Sequence, residues 1–298
     1  MEKNKTITFV SIFYDNENSK NAIIRQIKSF KYFTSNFNIE FIIVYNELNE
    51  LNTKLKSLIV NNKPDNINTI RFFNRNDIYK KNNCDVPKFW KNDYGYYHQE
   101  IIKLLVCKFV TTEYYIQLDD TKFFINKCND NMFFVDNNPK LFYGSLSLNL
   151  DNDYMYQYFL KSLKELDVNL KNLDKELKDI HLCSLVPFIF KTAYVNELIS
   201  FLIQKHGKTL KRFFYDISYY KYTEFTIYQA FIIKKKYIKK YSLYPYYNDN
   251  YHIWNLEGKL NSLDWLKKYN MIGFKFKAIE IIQKGNSEEF KKLSKYII

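Results

Sequence analysis

Apolar and polar positions follow two rhythms along this chain. Continuous β-branched and aromatic runs have the length and make-up of buried strands. They are "TITFVSIFY" (6–14), "IEFIIVYN" (39–46), "NTIRFFN" (68–74), "YYIQL" (114–118) and "KLFYGSLSL" (140–148). Between the first three the spacing changes to that of a helix. Ala22, Ile23, Ile27, Phe30 and Phe33 recur on one face, and residues 51–60 form a short amphipathic segment. This strand–helix–strand–helix–strand order predicts a parallel α/β sheet. Residues 75–95 read as irregular and polar. "YGYYHQEIIKLLVCKFV" then predicts a helix with Ile101, Ile102, Leu105 and Phe109 turned inward. Gln99 and Lys103, four apart, share its other face.

The second half of the chain is more helical. Residues 151–180, rich in Lys, Leu and Asp, predict a helical insertion or cover. "YVNELISFLIQKHG" (194–207) predicts a helix closed by Gly207. "TEFTIYQAFIIKKKYI" (223–238) predicts another, with Thr223 at its N-cap. Two short amphipathic helices follow Leu260. No repeat or linker interrupts the pattern. The simplest organisation is one domain over 1–260, with the insertion at 151–180 and a helical extension over 261–298.

Composition adds little to this picture. Tyr and Phe number 27 and 26 of the 298 residues. Because Lys, Asn, Ile, Tyr and Phe all have A/T-rich codons, a biased genome accounts for much of that excess. The net charge of +13 suits an anionic partner, but the lysines are spread along the chain. The densest cluster is Lys234, Lys235, Lys236, Lys239 and Lys240. There is no Arg-rich arm and no zinc-finger or RNP-type motif, so no specific nucleic-acid partner is expected. Cys84, Cys107, Cys128 and Cys183 have no C-x-x-C spacing and read as reduced thiols. The N-terminal stretch has no apolar leader, and no stretch reaches about 18 uninterrupted apolar residues. The expectation is a cytoplasmic protein, with peripheral membrane contact left open.

The chemistry gathers where "YYIQL" runs into Asp119 and Asp120. Ligands of open α/β sheets bind beyond the carboxyl ends of the strands. Two adjacent carboxylates there suit a divalent cation such as Mn²⁺ or Mg²⁺ bridged to substrate phosphates. A solvated turn whose aspartates cap the next segment is the plainer alternative. Lys103 reads equally as a diphosphate partner or as an ordinary surface lysine, with Gln99 beside it as a donor. Asp15, after the first strand, suits a nucleotide base or ribose, or simply a turn. Glu224, in the first turn of its helix, suits an acceptor-binding group or general base, or a residue favoured there by the dipole. His252 is a candidate late-chain metal ligand. Trp90 is a candidate cover for a sugar pocket. His98 reads as a packing residue.

The stretch "GYYHQEIIKLLVCKFVTTEYYIQLDDTKFF" resembles the core of GT-A nucleotide-sugar glycosyltransferases, most closely a poorly characterised microbial group of predicted glycosyltransferases. That group carries a G-[aromatic]-x-x-Q-x-x-x-K-L helix leading into a strand that ends in L-D-x-D-T-x-F. Gly95, Tyr96, Gln99, Lys103 and Leu104 match the first motif, and Leu118, Asp119, Asp120, Thr121 and Phe123 the second. "VPFIFKTAYVNELISFLIQKHG" is similar to the group's T-P-F segment and following helix. "YTEFTIYQAFI" is similar to its S-E-Y-x-x-Y-G helix, with Glu224 on the family glutamate. The resemblance spans residues 6–235. The chain departs from it in a metal motif one residue short, in Val186 for Thr and in Gln229 for Gly.

The resemblance implies a GT-A-like (Rossmann-type) mixed, mostly parallel sheet flanked by helices. It implies transfer of a sugar from a nucleotide-diphosphate donor to a glycan, lipid-linked or protein acceptor. The cation would sit on Asp119 and Asp120, with His252 as a further ligand. Gln99, Lys103, Asp15 and Trp90 would meet the donor, and Glu224 and Asp120 would serve catalysis. Two other readings remain at this stage. One is a metal-dependent nuclease or nucleotidyltransferase. The other is a basic module for nucleic acid or a membrane surface.

Overall fold

The computed structural model describes residues 5–47, 50–87, 94–124, 127–145, 154–169, 180–184, 186–207, 210–218, 221–245 and 271–273, with Lys171, Leu173 and Leu177. In chain order the first elements are β1 (Thr6–Phe13), α1 (Glu17–Ser29), β2 (Phe33–Thr34), β3 (Asn38–Tyr45), α2 (Thr53–Asn61), β4 (Ile67–Asn74), α3 (Arg75–Lys81), α4 (Tyr94–Leu105) and β5 (Tyr114–Asp119). There follow β6 (Lys122–Phe124), β7 (Cys128–Asn129), β8 (Phe134–Val135), β9 (Asn138–Ser145), α5 (Tyr154–Glu165), β10 (Ile180–Leu182) and β11 (Phe188–Lys191). The last are α6 (Thr192–His206), α7 (Lys211–Ser218), α8 (Glu224–Lys234), β12 (Ser242–Pro245) and β13 (Met271–Gly273).

The central sheet has the order β11-β5-β1-β3-β4. β1 pairs in parallel with β3 on one side and β5 on the other, and β4 extends the parallel set. Only β11, on β5, runs antiparallel. The chain thus leaves β1 in one direction and returns to its other side at β5. Such a reversal opens a crevice beyond the carboxyl ends of the two strands. The mixed, mostly parallel sheet with flanking helices is the fold class expected from the sequence.

Burial follows the period-2 alternation of the strands. Ile7, Phe9 and Phe13 of β1 join one core with Phe41, Ile43, Ile23 and Ile27, under α1. Val10 and Ile12 face the other core, with Ile42, Val44, Ile101, Leu105 and residues of α6 and α8. α8 is buried along almost its whole length, and α5 packs against it. No helix among the described residues is long and apolar enough to cross a membrane.

The structure departs from the sequence expectations in several places. Residues 75–81, expected to be irregular, form α3. Its start is fixed by a capping box in which Asn74 and Asp77 each accept from the other's backbone N–H. The predicted helix after Gly95 stops at Leu105, and residues 106–109 continue as a 3₁₀ turn. Phe188–Lys191, for which the sequence pattern predicts no element, is β11; its apolar run closes the sheet edge on β5. In the tail expected to be helical, Met271–Gly273 is a strand, antiparallel to β6. The edge of β6 supplies its backbone partners, which spacing within the tail does not reveal. The remainder of the 261–298 extension lies outside the described residues.

An aromatic cluster under α1 ties the carboxyl-end loop to the sheet. Phe30 is fully buried, with edge-to-face contacts to Phe9, Phe41 and Phe124 at 4.9, 5.1 and 5.0 Å. Phe30→Ala is expected to cost about 3–5 kcal/mol, the usual range for emptying such a site. A denaturant midpoint unchanged from the wild type would contradict this packing.

Candidate functional site

β1 and β5 deliver their last residues to the same crevice. After β1 come Tyr14 and Asp15; Asn16 then caps α1 by accepting from the Ser19 N–H at 2.8 Å. Ser19 Oγ accepts from the Tyr14 N–H at 2.9 Å and donates in a very short contact to Asp120 Oδ2. The backbone around Asp119 is held from α1 by Gln26, which donates to the carbonyls of Asp119 and Lys122 at 2.6 and 2.7 Å. The two aspartates therefore sit on a fixed turn.

α4 supplies the facing wall. The Tyr14 hydroxyl donates its one proton to Gln99 Oε1 at 2.7 Å, with its oxygen 3.1 Å from the Gly95 carbonyl. Asn46, after β3, donates to the same Gly95 carbonyl at 2.9 Å. A Cβ on residue 95 would lie 2.6 Å from the Tyr14 ring, so this approach of helix to ring requires glycine. With its oxygen held by Tyr14, the Gln99 amide turns its Nε2 to Asp119 Oδ1 at 3.3 Å. One turn on, Lys103 Nζ lies 3.3 Å from the same Oδ1 and 2.9 Å from Glu224 Oε1. The Phe225 ring flanks the ammonium at 4.9 Å. Tyr115, donating to the Lys103 carbonyl at 2.8 Å, anchors the end of the helix.

Glu224 opens α8. Thr223 caps that helix by accepting from the Thr226 N–H, while Thr226 Oγ1 accepts from the Thr223 N–H at 2.9 Å. Ser162 of α5 donates to Thr226 Oγ1 at 2.9 Å and steadies the cap. Glu224 is 1% exposed. Lys103, for which a surface position was one expectation, is 6% exposed and is the ammonium between Asp119 and Glu224. That correction has a simple cause: two carboxylates behind the polar face of α4 draw the lysine inward.

The electrostatics follow from burial. Burial, with the neighbouring charge of Asp119, pushes the Asp120 carboxyl up to about 7, although Ser19 and the Thr121 N–H pull it down. Burial also raises Glu224, against the pull of Lys103. Glu100, one turn before Lys103, is raised well above the usual carboxyl range by burial and then by Glu224; the Tyr96 hydroxyl, hydrogen bonded to it, works the other way. Burial lowers Lys103, but Asp119 and Glu224 outweigh it and hold the ammonium above its ordinary value. Lys122, fully buried behind the turn, is brought down to about 7 by burial, with Asp119 acting in the opposite sense. Four carboxyl groups, Glu100, Asp119, Asp120 and Glu224, thus share a buried neighbourhood with two amines, Lys103 and Lys122.

The other expected site residues divide. Gln99, Lys103, Asp119, Asp120 and Glu224 come together. Asp15 stands at the end of β1 but is half exposed and paired with Lys20 at 2.8 Å, which holds its carboxyl below the ordinary range with help from Tyr45. Trp90 and His252 lie outside the described residues. His98 packs: buried, it shares a 2.8 Å hydrogen bond with Tyr79, and burial takes it down to about 3. Tyr14, Ser19 and Glu100 were missed. Glu100, three residues before Lys103, was legible as a helical ion-pair spacing; nothing in the sequence ties Ser19 to Asp120.

The donor set suits a hard cation through carboxylate oxygens. Asp119 is the accessible member, with a side chain 23% exposed. Asp120 is 7% exposed and already engaged by Ser19 and the Thr121 N–H. Among the described residues no three His, Cys, Asp or Glu side chains gather as metal ligands. A cation there would take its remaining ligands from water or substrate phosphate, as Mg²⁺ commonly does. A separate cleft of about 430 Å³ lies at the opposite, amino end of the sheet, lined by Lys5, Asn36, Phe37, Asp130 and Phe134 among others. Its buried carboxylate, Asp130, is engaged by Ser35 and the Asn36 N–H, both at 2.7 Å, and serves the loop.

A mixed α/β fold with a buried acidic cluster at its strand reversal is the class that fold and site define. The chain belongs to DUF6492, a family of unknown function, whose profile matches residues 14–256. No curated protein matches the sequence. Similar solved structures include mouse xyloside xylosyltransferase 1 in its apo form, at 8% identity and TM-score 0.47 over 91% of this chain and 98% of that one. The apo WbbM bifunctional glycosyltransferase is similar at 12% identity and TM-score 0.48, over 98% of this chain and 52% of its own. The galactosyltransferase LgtC, in complex with donor and acceptor sugar analogs, is similar at 9% and 0.49, over 97% and 95%. These are likenesses of outline, and no activity follows from them.

Two outcomes follow from the cluster. Lys103→Ala leaves Asp119 and Glu224 without their shared counter-ion and is expected to cost about 3–5 kcal/mol, the penalty for breaking a buried pair; a loss under about 1 kcal/mol in denaturant unfolding would return Lys103 to the surface. Asp120 has a folded-state value above its unfolded one, so its protonated form favours the fold. That contribution is present below about pH 4 and is lost as pH rises through about 7. With chelator present, Asp120→Asn, which mimics the protonated acid, should therefore melt higher than the wild type at pH 8 and level with it near pH 4. The same difference at both pH values would contradict the burial of an ionisable group there.

Proposed function

We propose that this protein is a metal-dependent glycosyltransferase that moves a sugar from a nucleotide-diphosphate donor to a glycan, lipid-linked or protein acceptor. The observation that carries the reading is the acidic cluster at the strand reversal, four carboxyls against two amines, in which Lys103, Asp119, Asp120 and Glu224 stand at positions that match the glycosyltransferase motifs. Burial raises the proton affinity of Glu100, Asp120 and Glu224, and a divalent cation reaching the cluster would take the place of protons they hold. Asp119, the accessible carboxylate, is its first contact, and the diphosphate would complete its ligands. The cation, when bound, offsets the charge that develops on the leaving diphosphate.

The chain's own residues supply the rest. Tyr14 orients Gln99, and Gln99 orients Asp119. In an inverting transfer the acceptor hydroxyl gives its proton to Glu224 as its oxygen bonds to the anomeric carbon. The bond from that carbon to the phosphate oxygen breaks, and its electron pair leaves with the diphosphate. The raised proton affinity of Glu224 suits a base working near neutral pH. Asp15, on the rim, is the candidate for the nucleoside.

A thermal-shift panel with uridine and guanosine diphosphates, with and without Mn²⁺, tests the reading. Stabilisation should need nucleotide and metal together, reaching about 2.7 kcal/mol at a hundredfold excess over the dissociation constant. It should vanish in Asp119→Asn. At saturating Mn²⁺, Glu224→Gln should keep that stabilisation and lose about 10²–10⁴-fold in turnover. No shift with any nucleotide and metal pair, or full turnover in Glu224→Gln, would contradict the assignment.

A further inference from the structure

We propose that Lys103 occupies the place of the cation at Asp119 and must give way when a divalent metal binds, and that Glu224 sets how firmly it competes. The inference rests on the cation site proposed at Asp119. Lys103 Nζ stands between two carboxylates, 2.9 Å from Glu224 Oε1 and 3.3 Å from Asp119 Oδ1. Its side chain is 8% exposed, and the Phe225 ring closes another side at 4.9 Å. Water therefore does little to screen either attraction. The groups that face it are Gln99 and Glu100 on its own helix, Asp119 and Asp120 at the end of β5, Glu224 and Phe225 on α8, and Tyr14 after β1.

An ammonium held at Asp119 raises the cost of bringing a second cation to the same carboxylate. The shorter contact, to Glu224, draws it the other way. Metal entry would leave Lys103 to Glu224 alone, so the carboxylate expected to act as base no longer shares its counter-ion once the metal site fills. Coupling of this kind is reciprocal: whatever weakens the hold of Glu224 on Lys103 weakens metal binding at Asp119.

Glu224→Asp separates this coupling from simple charge. It keeps the negative charge but withdraws the carboxylate by one methylene from Lys103. Titration with Mn²⁺ alone, read by the electron paramagnetic resonance signal of the free aqueous ion, should show affinity falling roughly fivefold or more, the lower range of such couplings. Glu224→Gln should weaken binding as well. Lys103→Met combined with Glu224→Gln removes both ends of the contact and strands no Glu224 charge; it should bind Mn²⁺ at least as tightly as the wild type. Glu224→Asp binding like the wild type would overturn the proposal while the cation site stands. So would a double variant that binds no tighter than Glu224→Gln. Should the double variant fail to fold, the Glu224→Asp titration decides by itself. A wild type that binds no Mn²⁺ would overturn the cation site, and the inference with it.

Discussion

The site depends on one buried ammonium shared by two carboxylates. Lys103 reaches Asp119 at the end of β5 and Glu224 at the start of α8, and so joins a strand and a helix more than a hundred residues apart in sequence. Burying these charges separately would be costly; burying them together fixes α4 against both. The helix is held at its other end by the Gly95 carbonyl, which accepts from Asn46 and lies against the Tyr14 hydroxyl. α4 is thus the rigid wall of the crevice, and its polar face carries Gln99, Glu100 and Lys103.

Rigidity on that wall gives the acidic turn its character. Asp119 and Asp120 are neighbours in sequence but do different work. Asp120 faces inward and latches α1 to the turn through Ser19. Asp119 faces the crevice and receives Gln99 and Lys103. Burial raises the proton affinities of Glu100, Asp120 and Glu224, and neighbouring carboxylates add to it. In the proposed transfer, the dipoles of such a site are oriented before a cation or a charged leaving group arrives.

Much of the fold was legible because strands and helices were strongly periodic. The buried runs of β1, β3, β4 and β5 announced themselves, and their order gave the parallel sheet. α3 was not legible, since its polar residues carry little periodicity and its start depends on the Asn74–Asp77 box. β11 was hidden because its three-residue apolar run, Phe188–Phe190, ends with only Lys191 before α6. In the site, Asp119 and Asp120 were found by their place at a strand end, and Gln99 and Lys103 by their spacing. The burial of Lys103 was not legible: it is decided by Glu224, which only the tertiary fold brings near. Ser19 was invisible for the same reason, as a helix-start serine signals a local cap and not a partner 101 residues away.

The most direct measurement is anomalous diffraction from crystals grown with Mn²⁺ and a nucleoside diphosphate. The account predicts a manganese peak in coordination contact with the Asp119 carboxylate, bridged to the diphosphate, with Lys103 drawn toward Glu224. A peak bound away from Asp119, or nucleotide bound with no metal at that carboxylate, would contradict it.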